Sequence, residues 1–261
     1  MKKTITMEEL RAIQLDILDK IHAFCTERGI RYSLGGGTLL GAVRHKGYIP
    51  WDDDIDIMLP RPDYDRFLKD FEGKYIELNL QHYENDITCC IPFAKVYDNR
   101  TVLIEKVQKS GIYIDVFPID GLPEESRIHE YLTLYRKYLH KIYFMTPFYL
   151  ITGSLKNRIK YYIKKVFFPP RQKYIAEFYS FLKSFNFEKS VNAGAICGVY
   201  AEKELMPRDT FESYITVEFE GRHYMAIRDY DAYLTKHYGD YMQLPPKEKQ
   251  VSHHVFTAYW K

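Results

Sequence analysis

The segment Trp51-Asp52-Asp53-Asp54-Ile55-Asp56-Ile57-Met58-Leu59 alternates acidic and apolar side chains. In an extended strand alternate side chains share a face, so Asp54 and Asp56 point one way while Ile55 and Ile57 point into a core. Two carboxylates on one face repel each other unless a cation lies between them. Hard oxygen ligands suit Mg2+ or Mn2+ rather than zinc. Mg2+ takes one or two carboxylates and fills its other positions with water and substrate phosphates. The strand is therefore expected to hold a metal–nucleotide complex. Asp52 and Asp53 read as a solvated acidic turn ahead of it. An EF-hand is excluded, because no Gly or distal Glu falls at the required loop positions.

Three further features belong with this strand. Gly35-Gly36-Gly37-Thr38 lies between a short strand and a helix. Such a turn lets backbone N–H groups at a helix N-terminus approach a phosphate, which nominates Gly36, Gly37 and Thr38. It lacks the Gly-Lys-Ser/Thr of a Walker loop and the Gly-x-Gly-x-x-Gly of a dinucleotide turn. Gly111 to Pro118 is an alternating apolar strand broken by Asp115. A carboxylate amid such neighbours is costly to bury unless it is paired or metal-bound. Asp115 is thus a candidate third ligand, or the base that takes a hydroxyl proton, or both. Lys95, in the apolar run Ile91 to Tyr97, is a candidate phosphate partner. Arg44, His45, Asp98 and Arg100 are candidates of the same kind. His253, His254, Lys247 and Lys249 are candidates for donor or acceptor binding, and Asp120 reads as a turn residue before Gly121.

The elements that must position these residues begin with a capping box at Thr6-Met7-Glu8-Glu9. A helix follows with apolar spacing from Leu10 to Phe24, and Gly29 stops it. Strands are expected at 31–34, 54–59, 75–80, 89–97 and 111–117, and helices at 38–43 and from Pro62 to Gly73. Beyond 124 the pattern turns helical, at 124–143, 155–167, 171–185 and 229–238, with a hairpin at 214–227 pivoting on Glu220-Gly221. The fold class is α+β: a mixed-sheet core over 1–123 and a mostly helical region over 124–261 that packs on it.

The 261 residues, 46% of them hydrophobic, suffice for one large domain. No apolar run approaches the ~20 residues of a membrane span, and the N-terminus turns acidic before any apolar region forms. The four cysteines show neither Cys-x-x-Cys nor zinc-like spacing and read as reduced thiols, so a cytoplasmic protein is expected. Net charge is +2, yet 131–176 holds ten Lys/Arg, twelve Tyr/Phe and no acidic residue. This asymmetry points to an anionic partner. With no nucleic-acid motif present, nucleic acid is not expected. For this segment a plain helical subdomain, with aromatics in its core and Lys/Arg facing solvent, is the first expectation, and peripheral contact with the anionic inner face of the cell membrane is the alternative.

The run Gly35-Gly36-Gly37-Thr38-Leu39-Leu40-Gly41-Ala42-Val43-Arg44-His45-Lys46-Gly47-Tyr48-Ile49-Pro50-Trp51-Asp52-Asp53-Asp54-Ile55-Asp56 resembles the signature of the LicD family, which is related to the fukutin-type phosphoribitol transferases. The resemblance extends to Lys95–Thr101, the Asp115 strand, Tyr238–Met242 and Leu244-Pro245-Pro246; 131–176 matches least. It implies a nucleotidyltransferase-like fold and transfer of a phosphoalcohol, phosphocholine above all, from a CDP-alcohol donor to a hydroxyl of a glycan acceptor. That acceptor would be teichoic acid, lipopolysaccharide or a capsule precursor; one carried on a membrane lipid would suit the basic segment 131–176. It also implies that Asp54, Asp56 and Asp115 are the metal-binding carboxylates. The Gly47–Asp53 stretch lengthens the gap between glycine turn and acids, as LicD-like proteins do. Phosphoribitol, phosphoglycerol or nucleotidyl transfer, a metal-dependent glycosyltransferase and a non-catalytic nucleotide- or glycan-binding protein are the alternatives.

Overall fold

The computed structural model describes residues 3–104, 109–198, 201–251 and 257–261, so His253 and His254 lie outside the described residues. Helix α1 (Met7–Arg28) starts at the capping box: Thr6 accepts from the Glu9 N–H while the Glu9 carboxylate accepts from Thr6. It stops at Gly29, whose φ of 59° is left-handed. Leu10, Ile13, Ile17, Leu18, Ile21 and Phe24 form its buried stripe. Strand β1 (Ser33–Leu34), helix α2 (Gly36–His45), strand β2 (Asp56–Pro60) and helix α3 (Arg61–Phe71) follow. Phe67 and Phe71 of α3 meet Phe24 edge-on at 6.0 and 5.1 Å. Then come strands β3 (Leu78–Gln81), β4 (Ala94–Asp98), β5 (Thr101–Ile104), β6 (Lys109–Ser110) and β7 (Tyr113–Leu122).

The second half holds helices α4 (Ile128–Phe144), α5 (Tyr149–Thr152), α6 (Leu155–Phe167) and α7 (Arg171–Lys183). Strands β8 (Asn192–Gly194), β9 (Met206–Pro207), β10 (Tyr214–Phe219) and β11 (Arg222–Ile227), helix α8 (Tyr230–Tyr238) and strand β12 (Thr257–Trp260) complete the chain. The main sheet runs β1-β2-β7-β4-β3. Its β2–β7 pair is parallel and the other pairs are antiparallel. Ile57, Val96, Ile114 and Val116 fill the interior at 0% exposure. The far end of β7 pairs with β8, and β8 with β9. β12 pairs with β5, so strands beyond 124 are zipped onto strands before it.

The expected α+β class stands, with several boundaries moved. β2 begins at Asp56 rather than Asp54, β4 at Ala94 rather than 89, and β7 runs on to Leu122. β7 extends because β8 supplies it with a partner that hydropathy could not reveal. That extension overturns the turn reading of Asp120. It is buried within β7, and Arg61 of α3 donates to its two carboxylate oxygens from Nε and Nη2 at 2.6 and 2.9 Å. Burial lowers the Arg61 pKa and the Asp120 charge more than offsets it, leaving the guanidinium held firmly protonated. The hairpin formed as expected, with Glu220 and Gly221 both at positive φ, as a primed two-residue turn requires.

A second, smaller core lies under α4 and α7. Tyr131, Leu132 and Tyr135 pack there against Phe178 and Leu182, with Tyr83, Cys89 and Leu122 beneath. Thus several aromatics of the basic segment are core residues, as a helical subdomain requires. The four cysteines are free thiols. No helix of the described residues is long and apolar enough to cross a membrane.

Arg61→Ala should leave the Asp120 charge buried and unpaired, lowering the unfolding free energy by about 3–5 kcal/mol in chemical denaturation. The Arg61→Ala/Asp120→Ala pair should lose less than the sum of the single variants.

Candidate active site

Register brings the acids together. Asp56 on β2 lies opposite Asp115 on the parallel neighbour β7, and Asp115 lies opposite Lys95 on β4. The Lys95 ammonium is 2.8 Å from the Asp115 carboxylate and sits 3.3 Å from the centroid of the Tyr113 ring. Lys95 is buried, so it is not a snorkelling surface lysine. β7 is flanked on both sides, so Asp115 is not on an edge. Asp54 stands two residues before β2. Asp54, Asp56 and Asp115 line one cavity of about 390 Å³ whose walls include Phe93, Phe117 and Tyr238. On its other side Asp54 and Asp56, with Asp52, Gly37 and Arg44, line a larger cavity of about 1020 Å³. Trp51 and the C-terminal Tyr238, Tyr241 and Leu244 close that cavity.

The glycine turn is stitched to Asp56. The Gly35 N–H donates to the Asp56 carbonyl at 2.9 Å, and the Asp56 N–H donates to the Thr38 hydroxyl at 2.8 Å. These two bonds set the N-terminus of the ten-residue α2 beside the carboxylates. Gly36 has φ 46°, a conformation that favours glycine, and a Cβ on Gly37 would sit 2.9 Å from an Asp52 carboxylate oxygen. Gly41 allows a second close approach: a Cβ there would fall 2.5 Å from the Gly47 carbonyl. The tip of the β10–β11 hairpin then clamps the turn after α2. The Glu220 carboxylate accepts from the Tyr48 N–H at 3.0 Å and the Glu220 N–H donates to the Lys46 carbonyl at 2.8 Å.

The acidic loop is braced from α1. Arg11 donates to the Asp52 carbonyl at 2.7 Å, and Gln14 donates to the Asp53 carbonyl at 3.0 Å. Asp53 is only 4% exposed. The solvated-turn reading of Asp52 and Asp53 therefore does not hold: one lines a cavity and the other is enclosed. Carboxylate oxygens of Asp52, Asp53 and Asp54 lie within 4.8 Å of one another. Burial, reinforced by the charges of Asp54, Asp115 and Asp52, pushes the Asp56 pKa well above its ordinary value of 3.8. Cys197 also lines the smaller cavity, but burial pushes its thiol pKa well up, so the donor set is dominated by carboxylate oxygens and fits a hard divalent cation. Asp54 and Asp56 are common to both cavities and are the residues placed to hold it.

The other candidates divide. Gly36, Gly37 and Arg44 line the cavities. Arg44 also donates to the Tyr241 carbonyl at 2.7 Å, tying the C-terminal segment to α2. Thr38 is buried and acts on the Asp56 backbone. His45 accepts at Nε2 from Arg44 at 2.9 Å, and burial and the Arg44 charge lower its pKa, so it orients Arg44 as a neutral ring. Arg100 is not brought to the site: it pairs with Asp98, and neither residue lines these cavities. Lys247 and Lys249 are exposed and line neither cavity. Asp52, Trp51, Tyr238 and Tyr241 were not among the expected site residues. The acidic run around Asp52 was the available signal there, and the tyrosines, some 200 residues further along, lie in the Tyr238–Met242 stretch that resembles the family, although no local pattern gives them a role.

A carboxylate cluster beside a helix N-terminus, between two cavities, is the arrangement of a phosphate-handling transferase. The model of the family described as LicD/FKTN/FKRP, nucleotidyltransferase domain, matches residues 29–152. Over 98% of this chain and 99% of the relative, the sequence is 35% identical to the lipopolysaccharide cholinephosphotransferase LicD of Haemophilus influenzae. A 29-residue stretch, 11% of this chain and 6% of the relative, is 62% identical to the human ribitol 5-phosphate transferase FKRP. The chain belongs to the LicD family and is an enzyme, a phosphoalcohol transferase.

Asp56→Asn should stabilise the protein. The folded state keeps the Asp56 proton above the pH at which the unfolded chain releases it, so stability falls as pH rises from 3.8 towards neutrality. The asparagine variant should melt higher than wild type at pH 7 and flatten this dependence. It should also lose any rise in Tm that wild type gains from Mg2+. Thr38→Val strands the Asp56 N–H and should cost about 1–3 kcal/mol in denaturation.

Proposed function

We propose that this enzyme transfers phosphocholine from CDP-choline to a hydroxyl of a lipopolysaccharide glycan, with Mg2+ (or Mn2+) held by Asp54 and Asp56. The observation that carries the reading is likeness along nearly the whole chain to a protein named a lipopolysaccharide cholinephosphotransferase. Teichoic acid and capsule precursors offer the same hydroxyl chemistry. The acceptor is proposed to be lipid-linked and met at an anionic membrane surface through 131–176, on the cytoplasmic side.

Each residue then has a part. The N-terminus of α2, at Gly36 and Gly37, offers N–H groups to phosphate oxygens. Arg44 lines the same cavity and adds positive charge. When bound, the cation neutralises the diphosphate and the departing CMP. Asp115 takes the proton of the acceptor hydroxyl, while Lys95 holds its carboxylate in place. The acceptor oxygen bonds to the β-phosphorus as the bond from that phosphorus to the bridging oxygen breaks. CMP leaves with the electron pair. Most of the acceleration then comes from orientation and charge placement.

A second reading is phosphoribitol as cargo, favoured by the short, dense likeness to a ribitol 5-phosphate transferase. The test is CMP release from CDP-choline and from CDP-ribitol, with Mg2+ and choline-free lipopolysaccharide, together with mass spectrometry of the glycan. CDP-choline should be turned over and its phosphocholine found on the glycan. Asp115→Asn should lower kcat by about 10²–10⁴-fold. Faster transfer from CDP-ribitol would replace choline as the cargo, and transfer undiminished by EDTA would remove the metal.

A further inference from the structure

Residues 149–168 contribute to neither hydrophobic core, and no residue of α6 is buried. One side of α6, carrying Asn157, Tyr161 and Lys164, rests on the protein. Tyr161 meets the Tyr149 ring at 5.4 Å, and Lys164 donates to the Phe144 carbonyl at 2.9 Å. The opposite side carries Leu155, Ile159, Tyr162, Ile163, Val166 and Phe167, all exposed, Val166 to 77% and Phe167 to 76%. Their positions i, i+4, i+7, i+8, i+11 and i+12 make one continuous stripe at helical periodicity. Leu150 and Phe168, also exposed, lie just beyond the two ends of the helix. Lys156 and Lys160 fall along one edge of the stripe, and Arg158 and Lys165 along the other.

We infer that α6 is an in-plane membrane anchor, its apolar stripe seated among acyl chains and its two rows of cations on anionic headgroups. Thirteen residues cannot span a bilayer, which needs about 20. An apolar face bordered by Lys and Arg, with aromatics at its margins, suits the headgroup boundary instead. The charge favours a lipid surface over a second copy of this chain. No acidic residue lies anywhere in 131–176, so a copy laid on this face would bring cations against cations. The inference deepens the membrane contact proposed above, and it does not depend on which phosphoalcohol is transferred.

The test is sedimentation of the full chain with vesicles of phosphatidylcholine alone and with one-third phosphatidylglycerol, without donor or acceptor. The protein should pellet with the anionic vesicles and release as salt rises. Ile163→Glu/Val166→Glu should bind at least about tenfold more weakly, with an unchanged melting curve because both side chains are exposed. Lys156→Glu/Lys160→Glu should weaken binding to anionic vesicles in the same way. Transfer to a water-soluble glycan fragment should be unaffected in both variants, which separates this inference from the catalytic reading. No pelleting at low salt, or equal pelleting of the Ile163→Glu/Val166→Glu variant, overturns it. So does a dimer, seen by light scattering, that this variant dissolves while vesicle binding is absent.

Discussion

The structure depends on keeping like charges together. Asp52, Asp53 and Asp54 bring carboxylate oxygens within 4.8 Å of one another, and Asp56 and Asp115 stand beside them on adjacent strands. At that separation each pair of unit charges costs about 3 kcal/mol at an effective dielectric of 20, before further solvent screening. A chain free to relax would spread these groups apart. This one holds them, and burial, with the neighbouring carboxylates adding to it, raises the Asp56 pKa.

The restraint comes from backbone bonds made by distant elements. Gly35 and Thr38 bind the two faces of the Asp56 peptide, so the glycine turn cannot move without its carboxylate. Arg11 and Gln14, one turn apart on α1, satisfy the carbonyls of Asp52 and Asp53. Glu220, presented by the hairpin tip, clamps the loop between α2 and the acids. Each of these bonds is made to backbone, which fixes the acidic loop while Asp52, Asp54 and Asp56 line the cavities. Lys95 is different, because it meets Asp115 directly and offsets one charge of the cluster inside the protein.

Away from this centre the molecule is organised around a second core, in which the aromatics of α4 and α7 meet stacked (Tyr131 on Phe181) and edge-on (Tyr135 on Phe178). The same acid-free segment therefore serves two ends. Its flanking helices bury their rings, whereas α6 turns an equally apolar side outward. Arg171, at the first position of α7, shows how this layer is tied to the sheet region. Its buried guanidinium donates to the carbonyls of Tyr83 and Cys89, which are otherwise far away in the chain.

Local sequence determined the features that obey short-range rules. The capping box and Gly29 bounded α1, Glu220-Gly221 bent the hairpin, and the alternation around Asp54 and Asp56 set which side chains share a face. Those signals are legible because hydrogen bonds within a turn and the two-residue period of a strand involve only neighbours. Tertiary structure decided what required distant partners. It lengthened β7 through β8 and turned Asp120 into the buried mate of Arg61. It brought Tyr238 and Tyr241 over the acids. No local pattern encodes these, since a charged or aromatic residue has the same propensity whichever distant group it meets. Only the packed sheet, by fixing which strands adjoin, settles whether a carboxylate faces a cavity, an arginine or water.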